Sequence, residues 1–218
     1  NLGAIADQQF NFTGTSTQLV NVASAIGTGG TAGVPMFIKN NAKVQLSTNN
    51  LVLNNSSTMT VEDGGLLDFG FNGSAPLIIS NGGTGTNTFS SAQGSTLKIT
   101  HQNGIVKNTA NDGNVQLSIS NKTFNQTATF WYIGKAIQTT GDAITSGSTS
   151  KIVIAELANN SLTLTPSNNI AISNGTTLDA LGGRLDIRKG IVVETPSATI
   201  TGSGRLVMTD GTFQSSVL

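Results

Sequence analysis

Between residues 152 and 213 the chain repeats one short unit, an alternating apolar pair followed by a turn cluster. The pairs are Ile152/Ile154, Leu162/Leu164, Ile170/Ile172, Leu185/Ile187, Ile191/Val193 and Leu206/Met208, and between them lie NN, PSNN, SNG, GG, TP and GSG. Period-two alternation is the pattern of a half-buried strand, and Asn, Gly, Pro and Ser clusters turn a chain. Looking three strands ahead, Leu164 leads to Ile187 and Met208, Ile172 to Val193 and Phe213, and Ile154 to Leu178 and Ile200, all at nearly equal offsets. Three interleaved series with a common period predict coils of three strands and about 22 residues, rather than a run of hairpins. Asp210-Gly211 permits the hairpin reading, since Asp-Gly suits a two-residue hairpin turn. One coil cannot bury its apolar face alone, whereas stacked coils line up like side chains about 4.8 Å apart around a continuous interior. The expected fold is therefore all-β, an elongated parallel β-helix forming one domain over residues 1–218.

Upstream, KVQL, LVL, MTV, LLDF, LII, LKI and VQLSI are similar pulses between residues 43 and 119, and the steps from Leu46 to Phe69 and from Ile99 to Ile119 are close to the same period. Two regions break the rhythm. Residues 23–35 read as a loop, and residues 123–150, which hold the only Trp and Tyr, read as a loop, an enlarged coil or a small excursion from the shaft. SKIVIAELANN is the best helix candidate, but Ile152, Val153 and Ile154 are β-branched and favour a strand.

Composition narrows the function classes. Eleven Lys and Arg balance eleven Asp and Glu, so no net charge draws the chain to phosphate backbones or anionic lipid, and nucleic acid is not an expected partner. The absence of Cys removes thiolate chemistry and leaves the redox compartment open. Only 10% of residues are charged, yet Val, Ile and Leu recur throughout, which favours a folded β protein over disorder. No run of apolar residues is long enough for a membrane span, so membrane insertion is not expected. Because the first residue is Asn1 and not Met, the chain reads as a piece of a longer precursor.

ATITGSGRLVMTDGTF, residues 198–213, preceded by NGTTLDALGGRLDIRKGIVVE, resembles the glycine-punctuated repeats of passenger regions in bacterial autotransporter proteins. The resemblance implies a right-handed parallel β-helix displayed outside the cell on the outer membrane. It also implies an adhesin or structural shaft that meets a host-cell receptor, matrix or a sister cell through loops interrupting the coils, with no catalysis. The alternatives are a self-assembling surface-layer or fibre subunit joined through strand edges, and a carbohydrate-active β-helix enzyme.

Individual motifs add little chemistry. GGTGTNTFS, residues 82–90, follows the calcium-binding nonapeptide except for Asn87 in place of Asp, but it is a single copy where such sites need tandem turns. It reads as a corner, and no metal or cofactor is expected. Glu62, Asp63 and Asp68 form the densest acidic group; adjacent residues on a strand face opposite ways, so solvated charge at a turn is the simpler account than an acid/base pair. His101 reads as a strand-end histidine, and Arg184, Arg188 and Lys189 around Asp186 as a coil edge. No catalytic residue is assigned. Phe130, Trp131 and Tyr132 are the candidate binding residues, because aromatics offer large contact area and stack on sugars. Alternation along TATFWYIG is expected to bury Phe130 and Tyr132 and to turn Trp131 to the opposite face.

Overall fold

The computed structural model describes residues 9–27, 32–83, 85–134 and 138–144, and beyond residue 150 the backbone of the strands. It is nearly all-β with almost no helix, and the pairing between strands is parallel except in one short antiparallel pair. The longest sheet runs Thr17–Val20, Lys43–Leu46, Leu66–Asp68, Thr96–Ile99, Thr129–Tyr132, Lys151–Ala155, Thr177–Leu181 and Thr199–Gly202. A second sheet holds Phe10–Phe12, Pro35–Ile38, Thr58–Val61, Thr88–Ser91 and Lys122–Phe124, and a third holds Leu51–Leu53, Ile79–Asn81 and Val115–Gln116. Further along, a fourth sheet joins Gln138–Thr139, Thr163–Thr165, Arg184–Ile187 and Arg205–Met208, and a fifth joins Ile170–Ile172, Ile191–Val193 and Phe213–Ser215. Within every one of these sheets the spatial order is the sequence order. From Pro35 to Tyr132 the chain goes from the second sheet to the long sheet to the third and back to the second, and from Lys151 onward it goes from the long sheet to the fourth to the fifth and back to the long sheet.

Parallel pairing in register stacks like on like. In the long sheet Val44, Leu67, Leu97 and Phe130 follow one another as direct partners, and all four are fully buried. In the second sheet Met36 pairs with Met59 and Met59 with Phe89, and in the third Leu51 pairs with Ile79 and Ile79 with Val115, again buried. These rows form one apolar core between the sheets, joined by ring contacts from Phe69 to Phe89 at 6.4 Å and from Phe89 to Phe124 at 5.6 Å. Removing such a side chain down to Ala costs about 2–5 kcal/mol.

The turns from the second sheet to the long one are stacked as well. In residues 39–42, 62–65, 92–95 and 125–128 the fourth N–H (Ala42, Gly65, Ser95, Ala128) donates to the first carbonyl (Lys39, Glu62, Ala92, Asn125) at 2.9 to 3.3 Å. The third residue lies in the left-handed region at Asn41, Gly64 and Gly94, which Asn and Gly tolerate best. One turn then donates to the next, from Asn41 N–H to the Gly64 carbonyl at 3.1 Å and from Gly64 N–H to Gly94 at 3.3 Å. Glu62 and Asp63 sit in this column, where Glu62 Oε1 meets Lys39 Nζ at 2.6 Å; turn charge, as expected from the sequence.

The strands match the sequence pulses, with shifts. SKIVIAELANN contains the strand Lys151–Ala155, and the one helical turn among the described residues is the 3-10 segment Ile119–Asn121. Ile172 pairs with Val193, Ile187 with Met208 and Leu178 with Ile200, as the three series require. However, Leu164 pairs with Leu185 and not Ile187, Ile191 and not Val193 meets Phe213, and Ile152 and not Ile154 meets Leu178. Each slip is by an even step, from one strand residue to the next but one, which leaves every side chain on its own face and is therefore invisible to an alternation pattern. Ile99 pairs with Tyr132, well beyond Ile119, and Ile119 is exposed, so the expected step from Ile99 to Ile119 is wrong. The expected break at residues 23–35 holds a bridge from Ile26 to Leu53 and ends as Pro35 opens a strand. Expectations for the side chains of Ile187, Arg184, Arg188 and Lys189 fall outside the described residues.

Gly70 and Gly73 offer a matched test of the close stacking. Both have positive φ, but a Cβ on Gly70 would land on the Leu46 carbonyl oxygen whereas one on Gly73 meets open space. Gly73→Ala is expected to cost about 1 kcal/mol for its backbone alone, and Gly70→Ala about 3 kcal/mol or more because the clash adds to the strain. Urea unfolding of the two variants checks the difference.

Candidate functional site

The spacing of strand starts shows where the chain spends its extra residues. From the second sheet to the long sheet the step stays at 8 for Pro35 to Lys43, Thr58 to Leu66 and Thr88 to Thr96. From the third sheet back to the second it is 7 for Leu51 to Thr58, 9 for Ile79 to Thr88 and 7 for Val115 to Lys122. From the long sheet to the third it grows, 8 for Lys43 to Leu51, 13 for Leu66 to Ile79 and 19 for Thr96 to Val115. Between Pro35 and Lys122 the added length thus leaves the ladders at one corner, in successive passes. The first addition is an antiparallel pair, Phe71–Asn72 with Ala75–Pro76, whose residues 72–75 are exposed. The second is the loop of residues 100–114.

That loop has a buried root and an exposed tip. Asn114, fully buried, is its pivot: Oδ1 accepts from the Thr100 and His101 N–H groups at 3.0 and 2.9 Å, while Nδ2 donates to the Leu77 carbonyl and Thr100 Oγ1, both at 2.9 Å. Every hydrogen-bonding position of that amide is used, the condition under which a buried polar group stabilises a unique arrangement. Ile105 is tucked into the core, with its N–H donating to Thr140 and its carbonyl accepting from Ala143. Nearer the tip, Asp142 accepts from the Lys107 and Asn108 N–H groups, and the Lys122 ammonium donates to the Thr109 carbonyl at 2.7 Å. Lys122 occupies an inward position beside Phe89, and burial pulls its pKa down, opposed by the Asp142 and Asp112 carboxylates. Residues 108–111 project from this base and are exposed. The corner is therefore a ridge of amides and hydroxyls on a hydrogen-bonded footing, a surface suited to recognition by direct contact.

His101 lies at the root of the loop. Its Nδ1 accepts from the Asn103 N–H at 3.1 Å, which fixes it as the unprotonated ring nitrogen. Burial lowers its pKa, and the Asp112 carboxylate, held by Asn103 Nδ2 and the Gly113 N–H, pulls the other way. The strand-end placement read from the sequence is right, since the strand Thr96–Ile99 ends just before it.

The three aromatic candidates occupy one strand, Thr129–Tyr132, and divide as the alternation requires. Phe130 and Tyr132 are fully buried, and the Tyr132 hydroxyl donates to the Thr140 carbonyl at 2.7 Å, with burial pushing its pKa well up. Trp131 faces outward and is half-buried; the Lys98 ammonium lies 4.9 Å from its ring centroid, and its Nε1 is enclosed without a hydrogen-bond partner. In the same outward row Lys98 reaches Asp68 at 3.6 Å, and burial raises the Asp68 carboxyl above its ordinary pKa against the pull of the Gly70 N–H and Lys98. Asp68 is thus separated from the turn that holds Glu62 and Asp63. The segment 82–90 runs into the strand Thr88–Ser91, and just before that strand Asn87 is buried, with Oδ1 accepting from Ser57 N–H at 2.9 Å and Nδ2 donating to Asn81 at 2.7 Å. Phe124 also lies in a paired strand, Lys122–Phe124, so the start of the region 123–150 belongs to the sheets, while part of its remainder lies outside the described residues.

Sequence reasoning missed the ridge. HQNGIVKNTANDGN carries turn residues and the lone His, but its signal is a lengthened step between strands, which appears only once both strands are located. The chain matches no protein-family model, no curated protein and no solved structure.

Two measurements probe the footing. Asn114→Ala leaves the Thr100 and His101 N–H groups and the Leu77 carbonyl without their partner, and is expected to lower stability by about 2 kcal/mol or more in urea unfolding. His101 has a folded pKa below its ordinary 6.5, so the unfolded chain binds the proton first and stability falls as the pH drops through 6.5 toward the folded value. His101→Asn should flatten that part of the stability profile; an unchanged slope would place its origin elsewhere.

Proposed function

We propose that the sheets close into a right-handed parallel β-helix of three-strand coils, and that the chain is a bacterial surface passenger acting as an adhesin or structural shaft. The handedness and the surface display rest on the likeness of residues 152–213 to autotransporter repeats. The coil itself is supported by the cyclic order in which the sheets are visited. Seven steps of about 4.8 Å between Thr17–Val20 and Thr199–Gly202 make the ladder about 34 Å long. Such a shaft is held by backbone pairing along its length and carries side loops without disturbing its core.

The observation that carries the contact role is that between Pro35 and Lys122 the added length leaves at one corner, with residues 72–75 and 108–111 exposed and the root of the second addition tied to the Leu77 carbonyl by Asn114. A host-cell receptor, matrix or sister cell is the partner class, met by hydrogen bonding and shape. Trp131 is a secondary contributor at most, since its indole N–H is enclosed and Lys98 lies against its ring.

Beads coated with the chain should attach to cultured epithelial cells or to sister bacteria. Replacing residues 108–111 and 72–75 by Gly-Ser segments should cut attachment at least about tenfold while circular dichroism and Tm stay near wild type, the behaviour of a contact surface and not of a core. Trp131→Ala should leave attachment within about threefold. Full attachment by the ridge variant would remove the ridge from the binding surface. Small-angle scattering should show an elongated monomer; a sphere would contradict the coil.

A further inference from the structure

We infer that Asn72, the last residue of the short strand Phe71–Asn72, is a site of spontaneous deamidation, where a neutral amide becomes a carboxylate on the exposed corner. In this reaction the main-chain nitrogen of the following residue attacks the Asn side-chain carbonyl carbon and gives up its proton as ammonia leaves, closing a five-membered succinimide. Water then opens the ring at one carbonyl or the other and leaves Asp or isoaspartate. The sum is amide plus water giving acid plus ammonia, with no oxidant, reductant or cofactor. Asn is among the chemically labile residues, and a following glycine puts no Cβ beside the closing ring.

The sequence has four Asn-Gly steps, at Asn72, Asn81, Asn103 and Asn174. The last lies outside the described residues. The other three differ in the room around the glycine, where the ring must form. A Cβ on Gly104 would land on the Thr139 and Thr140 carbonyl oxygens, and one on Gly82 would lie 3.0 Å from the Leu53 carbonyl oxygen and 3.2 Å from the Asn54 side chain. One on Gly73 meets open space.

The asparagine side chains differ in the same sense. Asn103 is half-buried, and its Nδ2 donates to Asp112 at 2.9 Å. Asn81 is exposed, but its Oδ1 accepts from the Gly83 N–H at 3.1 Å and from Asn87 Nδ2 at 2.7 Å, and its backbone is paired with Leu53 in the third sheet. Asn72 is exposed and stands outside the parallel ladders, in an antiparallel pair of two residues a side. Closing the ring at Asn81 or Asn103 means breaking these bonds and shifting a ladder strand or the root of the loop. At Asn72 it means shifting a short pair, the kind of segment that opens at little cost in free energy. Exposure alone does not separate Asn72 from Asn81; restraint does.

Residues 72–75 and 108–111 carry no ionisable side chain, and the carboxyl formed at Asn72 is charged at neutral pH. On the contact role proposed above, on which this consequence rests, the corner gains negative charge as the protein ages.

The test is deamidation of the intact chain in heavy-oxygen water at neutral pH and body temperature, in buffer and in unfolding urea, with the label located by peptide mass spectrometry. Ring opening places a heavy oxygen on the residue that reacted. In urea the three Asn-Gly steps should react at similar rates. In buffer Asn72 should slow by less than about tenfold, while Asn81 and Asn103 slow by more. Slowing of Asn72 by about tenfold or more, or an Asn81 or Asn103 that keeps pace with it, would overturn the inference. The deamidated fraction, separated by its added charge, should attach to cells less strongly than the unmodified fraction. Equal attachment would remove Asn72 from the contact surface and leave the modification site standing.

Discussion

Parallel pairing in strict register is the constraint on which everything else in this chain depends. A parallel strand cannot be reached by a tight turn, so each strand must be separated from its partner by a full excursion through other strands. The chain meets this by visiting its sheets in one cyclic order, and the register then sets like residues above one another. Val44, Leu67, Leu97 and Phe130 form a buried row because their backbones are partners, and the turn at residues 39–42 stacks on 62–65 for the same reason. The fourth position of these turns is Ala42, Gly65, Ser95 and Ala128, small residues at buried or crowded places, and at Gly65 a Cβ would press on the Ile38 carbonyl oxygen.

The same constraint explains why added length appears at one corner. Two of the three steps hold at 7 to 9, while the step from the long sheet to the third absorbs both insertions. An insertion there still needs its own polar groups satisfied, since the loop of residues 100–114 runs partly below the surface. Asn114, Asp142 and Lys122 supply that, one amide, one carboxylate and one ammonium each bonded to backbone groups of the loop or its neighbours. Burying the Lys122 ammonium carries a desolvation cost, visible as its lowered pKa, and the nearby Asp112 and Asp142 offset part of it.

Much of the fold is legible in the sequence, because the two signals it depends on are local. Alternation such as Thr96-Leu97-Lys98-Ile99 marks a strand and its faces, and the approximate period marks its partner. Alternation also places Phe130 and Tyr132 inside and Trp131 outside. It is blind to even slips of register, which is why it matches Leu164 to Ile187 although Leu185 is the partner. The ridge is less legible for a different reason: a constant period hides it, and the passes containing residues 71–76 and 100–114 are longer. The buried Lys122 escapes because a charged residue between turn residues reads as solvent-facing. In the structure it continues an inward row after Phe89, its charge directed to a carbonyl.

The most direct test of the account is a distance measured along the long sheet. Gln45 and Thr201 lie on the same row with six strand steps between them, so spin labels on a Gln45→Cys/Thr201→Cys variant, at a concentration low enough to keep chains apart, should give one narrow distribution centred near about 29 Å. A broad distribution, or a centre below about 20 Å, would show that the strands do not stack in one continuous parallel ladder of this spacing.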